Sequence, residues 1–207
     1  MSHNTWIHRI VRVAVRPLAA TPVTPNQVTT LRCAAGLAAA LALAQGSDDW
    51  RHWGAGIFLI GMLLDRADGE LARLSGKTSP WGHTFDLISD AASNVLAFFA
   101  LGVGLRDGPF GLWAPVMGLA AGAAIAAILF LVIKLEEQHG ARAGELGGAA
   151  GFDPDDALLV FPILIWLGLS DGLLAAACIG APAFAVFMFL KFRRRLRAAG
   201  VSRARTP

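Results

Sequence analysis

The sequence predicts an all-α, polytopic membrane protein: six transmembrane helices preceded by an N-terminal interfacial amphipathic helix. Three observations predict it. Of 207 residues, 55% are hydrophobic and 16% are charged, whereas a soluble domain is nearer one quarter charged. The apolar residues form long runs between short polar turns, as in WGAGIFLIGMLL (53–64) and AASNVLAFFALGVGL (91–105). Basic residues gather on alternate turns, as the positive-inside rule requires.

Residues 4–18, NTWIHRIVRVAVRPL, place Arg9, Arg12 and Arg16 at helical spacing, with Trp6, Ile10 and Val13 on another stripe. The stretch is too short to span, and no cleavage site follows it, so it is not a secretory signal. It suits a helix lying on an anionic leaflet, or a basic tail obeying the positive-inside rule. Pro17, Pro22 and Pro25 are expected to break it.

The first span, 26–45, starts with Thr24 as N-cap, Pro25 at the first helical position and Gln27 completing a capping box. The other spans are expected at 53–74, 80–105, 111–134, 155–170 and 172–191. This divides the chain into an N-terminal helix and linker (1–22), a six-helix transmembrane domain (23–192) and a basic tail (193–207). With both termini cytoplasmic, the outer turns hold only Arg51 and Arg106. The inner side then holds Arg9, Arg12, Arg16, Arg73, Lys77, Lys134, Arg142 and the tail KFRRRLRAAGVSRAR. A bacterial-type cell membrane, with both termini and the turn between the second and third spans facing the cytoplasm, is the expected location. The basic balance suits anionic headgroups; no basic stripe with interleaved aromatics points to nucleic acid.

In the fourth span Gly118 and Gly122 are four apart, a spacing that lets helices approach closely, within the chain or across a dimer. The loop 134–156 is long, polar and glycine-rich. His139 on it reads as solvated. Asp153, Asp155 and Asp156 open the fifth span, either as ordinary dipole partners or as contacts to a hydroxyl or amine of a bound molecule. Cys33 and Cys178 have no metal-binding spacing and read as reduced packing residues.

The chain is organised around 65–90, DRADGELARLSGKTSPWGHTFDLISD. Asp65 and Asp68 share one helical face, as do Asp86 and Asp90. Ser79 is placed as N-cap and Pro80 as the first residue of the second helix. Two antiparallel helices joined by a short turn would carry Asp68 and Asp86 roughly 9 Å inside, and Asp65 and Asp90 roughly 13 and 15 Å. Four acids meeting in apolar surroundings cannot all stay ionised without a cation. A divalent ion resolves this, and all-oxygen ligands suit Mg²⁺, Mn²⁺ or Ca²⁺. His83, one turn before Asp86, reads as non-essential.

These residues also fill a signature. The pattern Asp-x2-Asp-Gly-x2-Ala-Arg-x8-Gly-x3-Asp-x3-Asp is matched by Asp65, Asp68, Gly69, Ala72, Arg73, Gly82, Asp86 and Asp90, without departure. On this motif the chain resembles the CDP-alcohol phosphotransferases (CDP-alcohol phosphatidyltransferases), integral-membrane enzymes that make phospholipids from CDP-linked donors. The resemblance implies that an acceptor hydroxyl attacks the phosphate nearest the donor's alcohol group and CMP leaves. It implies Asp65, Asp68 and Asp86 as ligands of Mg²⁺ or Mn²⁺, with a two-metal site expected, and Asp90 as general base that also touches a second metal. Gly69 and Ala72 would let cytosine or ribose approach the helix, and Arg73 would donate to phosphate. Asn26, in Pro-Asn-x-Val-Thr, would line the nucleotide pocket by a shorter match; on its own it reads equally as a helix start.

Compact members of this family mostly use CDP-diacylglycerol and a small polar alcohol, and are usually homodimers. That donor, that acceptor class and a homodimer among membrane lipids are therefore expected. The runner-up uses a soluble CDP-alcohol with a lipid hydroxyl as acceptor. From another class, intramembrane carboxylates could form a cation or proton pathway, but few polar groups continue toward the outer side. A catalytically dead scaffold is disfavoured because each motif position is filled. Lys134 and Arg142 are candidate partners for an anionic acceptor, with the nearby Asp153, Asp155 and Asp156 opposing that.

Overall fold

The computed structural model describes residues 6–139 and 158–203, and among these all regular structure is helical. The order is α1 (Trp6–Ala19), α2 (Pro25–Ala44), α3 (Asp48–Ser75), α4 (Pro80–Gly104), α5 (Trp113–His139), α6 (Val160–Trp166) and α7 (Ser170–Arg203).

Local chemistry sets these boundaries. Thr24 accepts from the Gln27 N–H while the Gln27 side chain accepts from the Thr24 N–H, so α2 begins with the expected capping box. Ser79 accepts from the Gly82 N–H at 2.9 Å and Pro80 opens α4. Between them α3 ends on Gly76, whose φ of 66° closes the helix in the left-handed region. Only a short turn therefore separates the two motif helices. Helix α1 runs through Pro17 to Ala19, rather than breaking there. So near the helix end, the lost Pro17 N–H costs a single backbone bond.

Helix α2 packs on α3 and α4, α5 on α4 and α7, and α1 and α6 lie against α3. The core sits between them, with Leu43, Ala55, Phe58, Phe98, Leu101, Ile165 and Leu174 buried. The Phe161 ring stands 4.7 Å from that of Phe58 and 4.8 Å from that of Phe98, in tilted and edge-on geometry. A Cβ on Gly118 would lie 2.2 Å from the Phe98 carbonyl oxygen, and one on Gly122 2.7 Å from the Val95 Cα. The small-residue stripe thus serves the α4–α5 contact inside one chain and is not a free dimer face.

Outside the core the chain is apolar. Leu37 and Leu41 on α2, Ile88 and Leu96 on α4, Leu119 and Phe130 on α5 and Ile179, Phe187 and Phe189 on α7 are exposed, a surface suited to hydrocarbon and not to water. Trp50, Trp53, Trp113 and Trp166 are exposed at the end away from the motif, where an aromatic belt belongs.

Four helical stretches among the described residues are long and apolar enough to cross a membrane: Pro25–Ala44, Pro80–Gly104, Trp113–Leu131 and Ser170–Leu190. The second expected span corresponds to α3, which at 28 residues is long enough but carries Asp65, Arg66, Asp68, Glu70 and Arg73 in its second half. The fifth, 155–170, is met by the seven-residue α6; its first residues lie outside the described part. So do Arg142, Asp153, Asp155 and Asp156. The basic tail is not a separate segment at its start, because α7 continues to Arg203.

Candidate metal and phosphate site

Helices α3 and α4 leave their short turn antiparallel, and this brings three of the four motif acids together. One oxygen from each of Asp65, Asp68 and Asp86 lies within 4.8 Å of the other two. Asp68 is buried, while Asp65 and Asp86 are partly exposed. Asp90, one turn deeper than Asp86, stands outside this group. Its Oδ1 accepts from Asn94 Nδ2 at 3.1 Å.

Helix α2 supplies the rest of the site. Thr29 donates to Asp68 Oδ2 at 2.8 Å. Arg32, buried, pairs with Asp65 and brings Nη2 within 3.1 Å of Asp86 Oδ1. The same nitrogen donates to the Asp86 carbonyl oxygen at 2.6 Å. Asp86 Oδ1 makes no hydrogen bond despite its burial, so Arg32 offers it charge without direction. Three hard oxygen donors this close together fit a divalent cation.

Neither Thr29 nor Arg32 was singled out from the sequence. A signal was available: an arginine inside an apolar span is costly and marks function. Helical spacing from Asn26 through Thr29 to Arg32 was the further clue.

Asn26, at the start of α2, lies against the first turn of α4. A Cβ on Gly82 would lie 2.8 Å from Asn26 Oδ1 and 3.0 Å from Ser79 Oγ, so the motif glycine lets α4 start against α2. On α3, the Arg73 guanidinium folds back over Gly69, where an added Cβ would stand 3.7 Å from Nη1. Ala72 is partly buried beside it. Arg73 also donates to Glu70 at 2.8 Å. Below α1 lies an apolar recess of about 360 Å³, lined by Val15, Leu18, Val23, Gln27, Val28, Leu31, Leu64, Ala67 and Leu71. Leu64 and Ala67 flank the metal-site acids on α3.

The family model described as CDP-alcohol phosphatidyltransferase matches residues 22–190, the bulk of the chain. The chain belongs to the CDP-alcohol phosphatidyltransferase family. No curated protein sequence matches it. As a member it is a phosphotransferase using CDP-alcohol substrates, and the family together with the four apolar helices among the described residues makes it an integral membrane protein. The aspartate cluster is where the metal of this CDP-alcohol phosphatidyltransferase could bind. Cys33 and Cys178 are free thiols, and Cys33 donates to Ser89 across the α2–α4 contact, as expected of packing residues. His83 is exposed.

Proposed function

We propose that the chain transfers a phosphatidyl group from CDP-diacylglycerol to the hydroxyl of a small polar alcohol and releases CMP. One observation carries this reading: α3 supplies two acids of the three-carboxylate group, Asp65 and Asp68, and also their chain neighbours Leu64 and Ala67, which line an apolar recess with α1 and α2. A donor with a charged pyrophosphate and acyl tails needs both at once. The runner-up, a soluble CDP-alcohol with a lipid acceptor, needs the same two features in separate substrates.

In this reading Asp65, Asp68 and Asp86 hold Mg²⁺ or Mn²⁺, with a second ion shared with Asp90. When bound, such ions offset the pyrophosphate charge and that of departing CMP. Asp90 takes the acceptor's proton as its oxygen bonds to phosphorus and the bond to CMP breaks. Arg73 donates to a donor phosphate, Gly69 and Ala72 leave room for cytosine and ribose, and Asn26 lines the nucleotide side. Arg32 and Thr29 keep the carboxylates in register.

The same reading takes α1 as an interfacial helix, residues 23–192 as one catalytic domain crossing six times, and 193–207 as a basic end. Both termini and the site face the cytoplasm, and the enzyme works as a homodimer. The exposed Trp residues opposite the motif and the basic residues near it support that orientation. A cation or proton pathway is less well supported, because the buried α2–α4 core away from the motif is apolar.

Purified protein given labelled CDP-diacylglycerol and a panel of acceptors should release CMP with serine, a polyol or a phosphorylated polyol. CMP release with CDP-choline and diacylglycerol alone would favour the runner-up.

A further inference from the structure

Glu70 occupies a variable position of the motif, and its carboxylate is 1% exposed. Burial of a carboxylate costs several kcal/mol unless both oxygens find partners. Here each oxygen takes a different guanidinium. Oε1 accepts from Arg12 on α1, and Oε2 accepts from Arg73 Nε at 2.8 Å with Nη2 at 2.5 Å. Arg12, read from the sequence as one of three basic residues on a leaflet-facing helix or basic tail, keeps its side chain half exposed while its guanidinium reaches Glu70. The contact has apolar support, since Val11 and Val15 are buried against Leu71, next to Glu70. It also has a second fastening: Lys77 donates to the Thr21 and Val23 carbonyls at 3.0 and 3.1 Å.

We propose that Glu70 is a positioning residue, the joint through which α1 is fixed to the motif helix and Arg73 is held over Gly69. This rests on the reading of Arg73 as a partner of the donor's phosphate. The sharing of one carboxylate makes the two ends interdependent. With Arg12 present, Glu70 is divided between two cations and leaves the other Arg73 donors for phosphate. Without Arg12, both oxygens turn to Arg73 and compete with the donor. The surface helix thereby tunes donor affinity from outside the site.

The test uses the full chain in lipid nanodiscs, with Arg12→Gln, Glu70→Gln, Arg73→Ala and their pairs. Two quantities are read: donor KM against kcat with CDP-diacylglycerol, and hydrogen exchange across residues 6–19. Arg12→Gln and Glu70→Gln should each raise donor KM about tenfold, the scale of one charge-assisted hydrogen bond, with kcat little changed. Neither should add to the effect of Arg73→Ala. Exchange across α1 should quicken in both, and Arg12→Lys should restore both readouts. Additive effects on KM, or unchanged α1 exchange in Arg12→Gln, would overturn the proposal. Arg12→Gln keeps this decidable if Glu70→Gln fails to fold. A parent protein that binds no CDP donor overturns the functional reading, and α1 exchange then decides the joint.

Discussion

Arg32 of α2 reaches Asp86 of α4 twice, donating from Nη2 to its carbonyl oxygen at 2.6 Å and standing 3.1 Å from its Oδ1. It also pairs with Asp65 on α3, so one buried cation ties three helices together. Arg32→Gln should destabilise the metal-free protein by about 3 kcal/mol, the low end of the range for a broken buried pair, because Asp65 and Asp86 are partly exposed. The stabilisation gained on adding Mg²⁺ or Mn²⁺ should then be larger than in the parent. Thermal unfolding in EDTA and in metal checks both, and an unchanged metal response would show that Arg32 does not share the carboxylates' charge.

Arg73→Ala should raise the donor's KM by about tenfold or more and leave the acceptor's nearly unchanged, as loss of a charged hydrogen bond to phosphate implies. Initial rates with each substrate varied in turn read this directly. A rise confined to the acceptor's KM would move Arg73 to the other side of the reaction.

Packing makes a prediction independent of chemistry. A Cβ at Gly118 would press on the Phe98 backbone, whereas one at Gly180 meets nothing within 4 Å. Gly118→Ala should therefore destabilise by about 1–3 kcal/mol through overpacking. Gly180→Ala should be neutral or stabilising by up to about 1 kcal/mol. Unfolding midpoints of the two variants should move in opposite directions or only the first should move; equal losses would argue against the α4–α5 contact.

Much of this was legible in the sequence because caps and motif spacing are local. Thr24, Gln27, Ser79 and Pro80 each act within one turn, and the pairing of Asp65 and Asp68 with Asp86 follows from helical period and a short turn. What α2 contributes was legible only as an arginine inside an apolar span; nothing local says that Thr29 and Arg32 face α3 and α4. The four acids were expected to meet together; the tightest group holds Asp65, Asp68 and Asp86, while Asp90 accepts from Asn94 one turn further along α4. Nor could periodicity decide between Arg12 facing lipid and Arg12 facing Glu70, because that depends on which face α1 lays on α3. Hydropathy suggested six spans with the fifth short; α3, the second, carries the site's charges, and the described helix at the fifth, α6, has seven residues.

Asp90→Asn keeps the shape of the side chain and a partner for Asn94, but removes the proton acceptor. It should retain metal-dependent donor binding while turnover falls about 10²–10⁴-fold, the scale of general-base removal. Calorimetry of donor binding beside CMP release separates the two. Loss of both together would make Asp90 chiefly a metal ligand, and full turnover would remove it from the mechanism.

The central claim is that the Asp65–Asp68–Asp86 group holds the metal on which transfer from CDP-diacylglycerol depends. Its most direct test is CMP release by purified protein before and after EDTA, beside Asp65→Asn, Asp68→Asn and Asp86→Asn. Release should stop in EDTA, return with Mg²⁺ or Mn²⁺, and be abolished in each variant. An EDTA-treated protein turning over at the untreated rate, or any of the three variants at the parent's rate, would contradict the account.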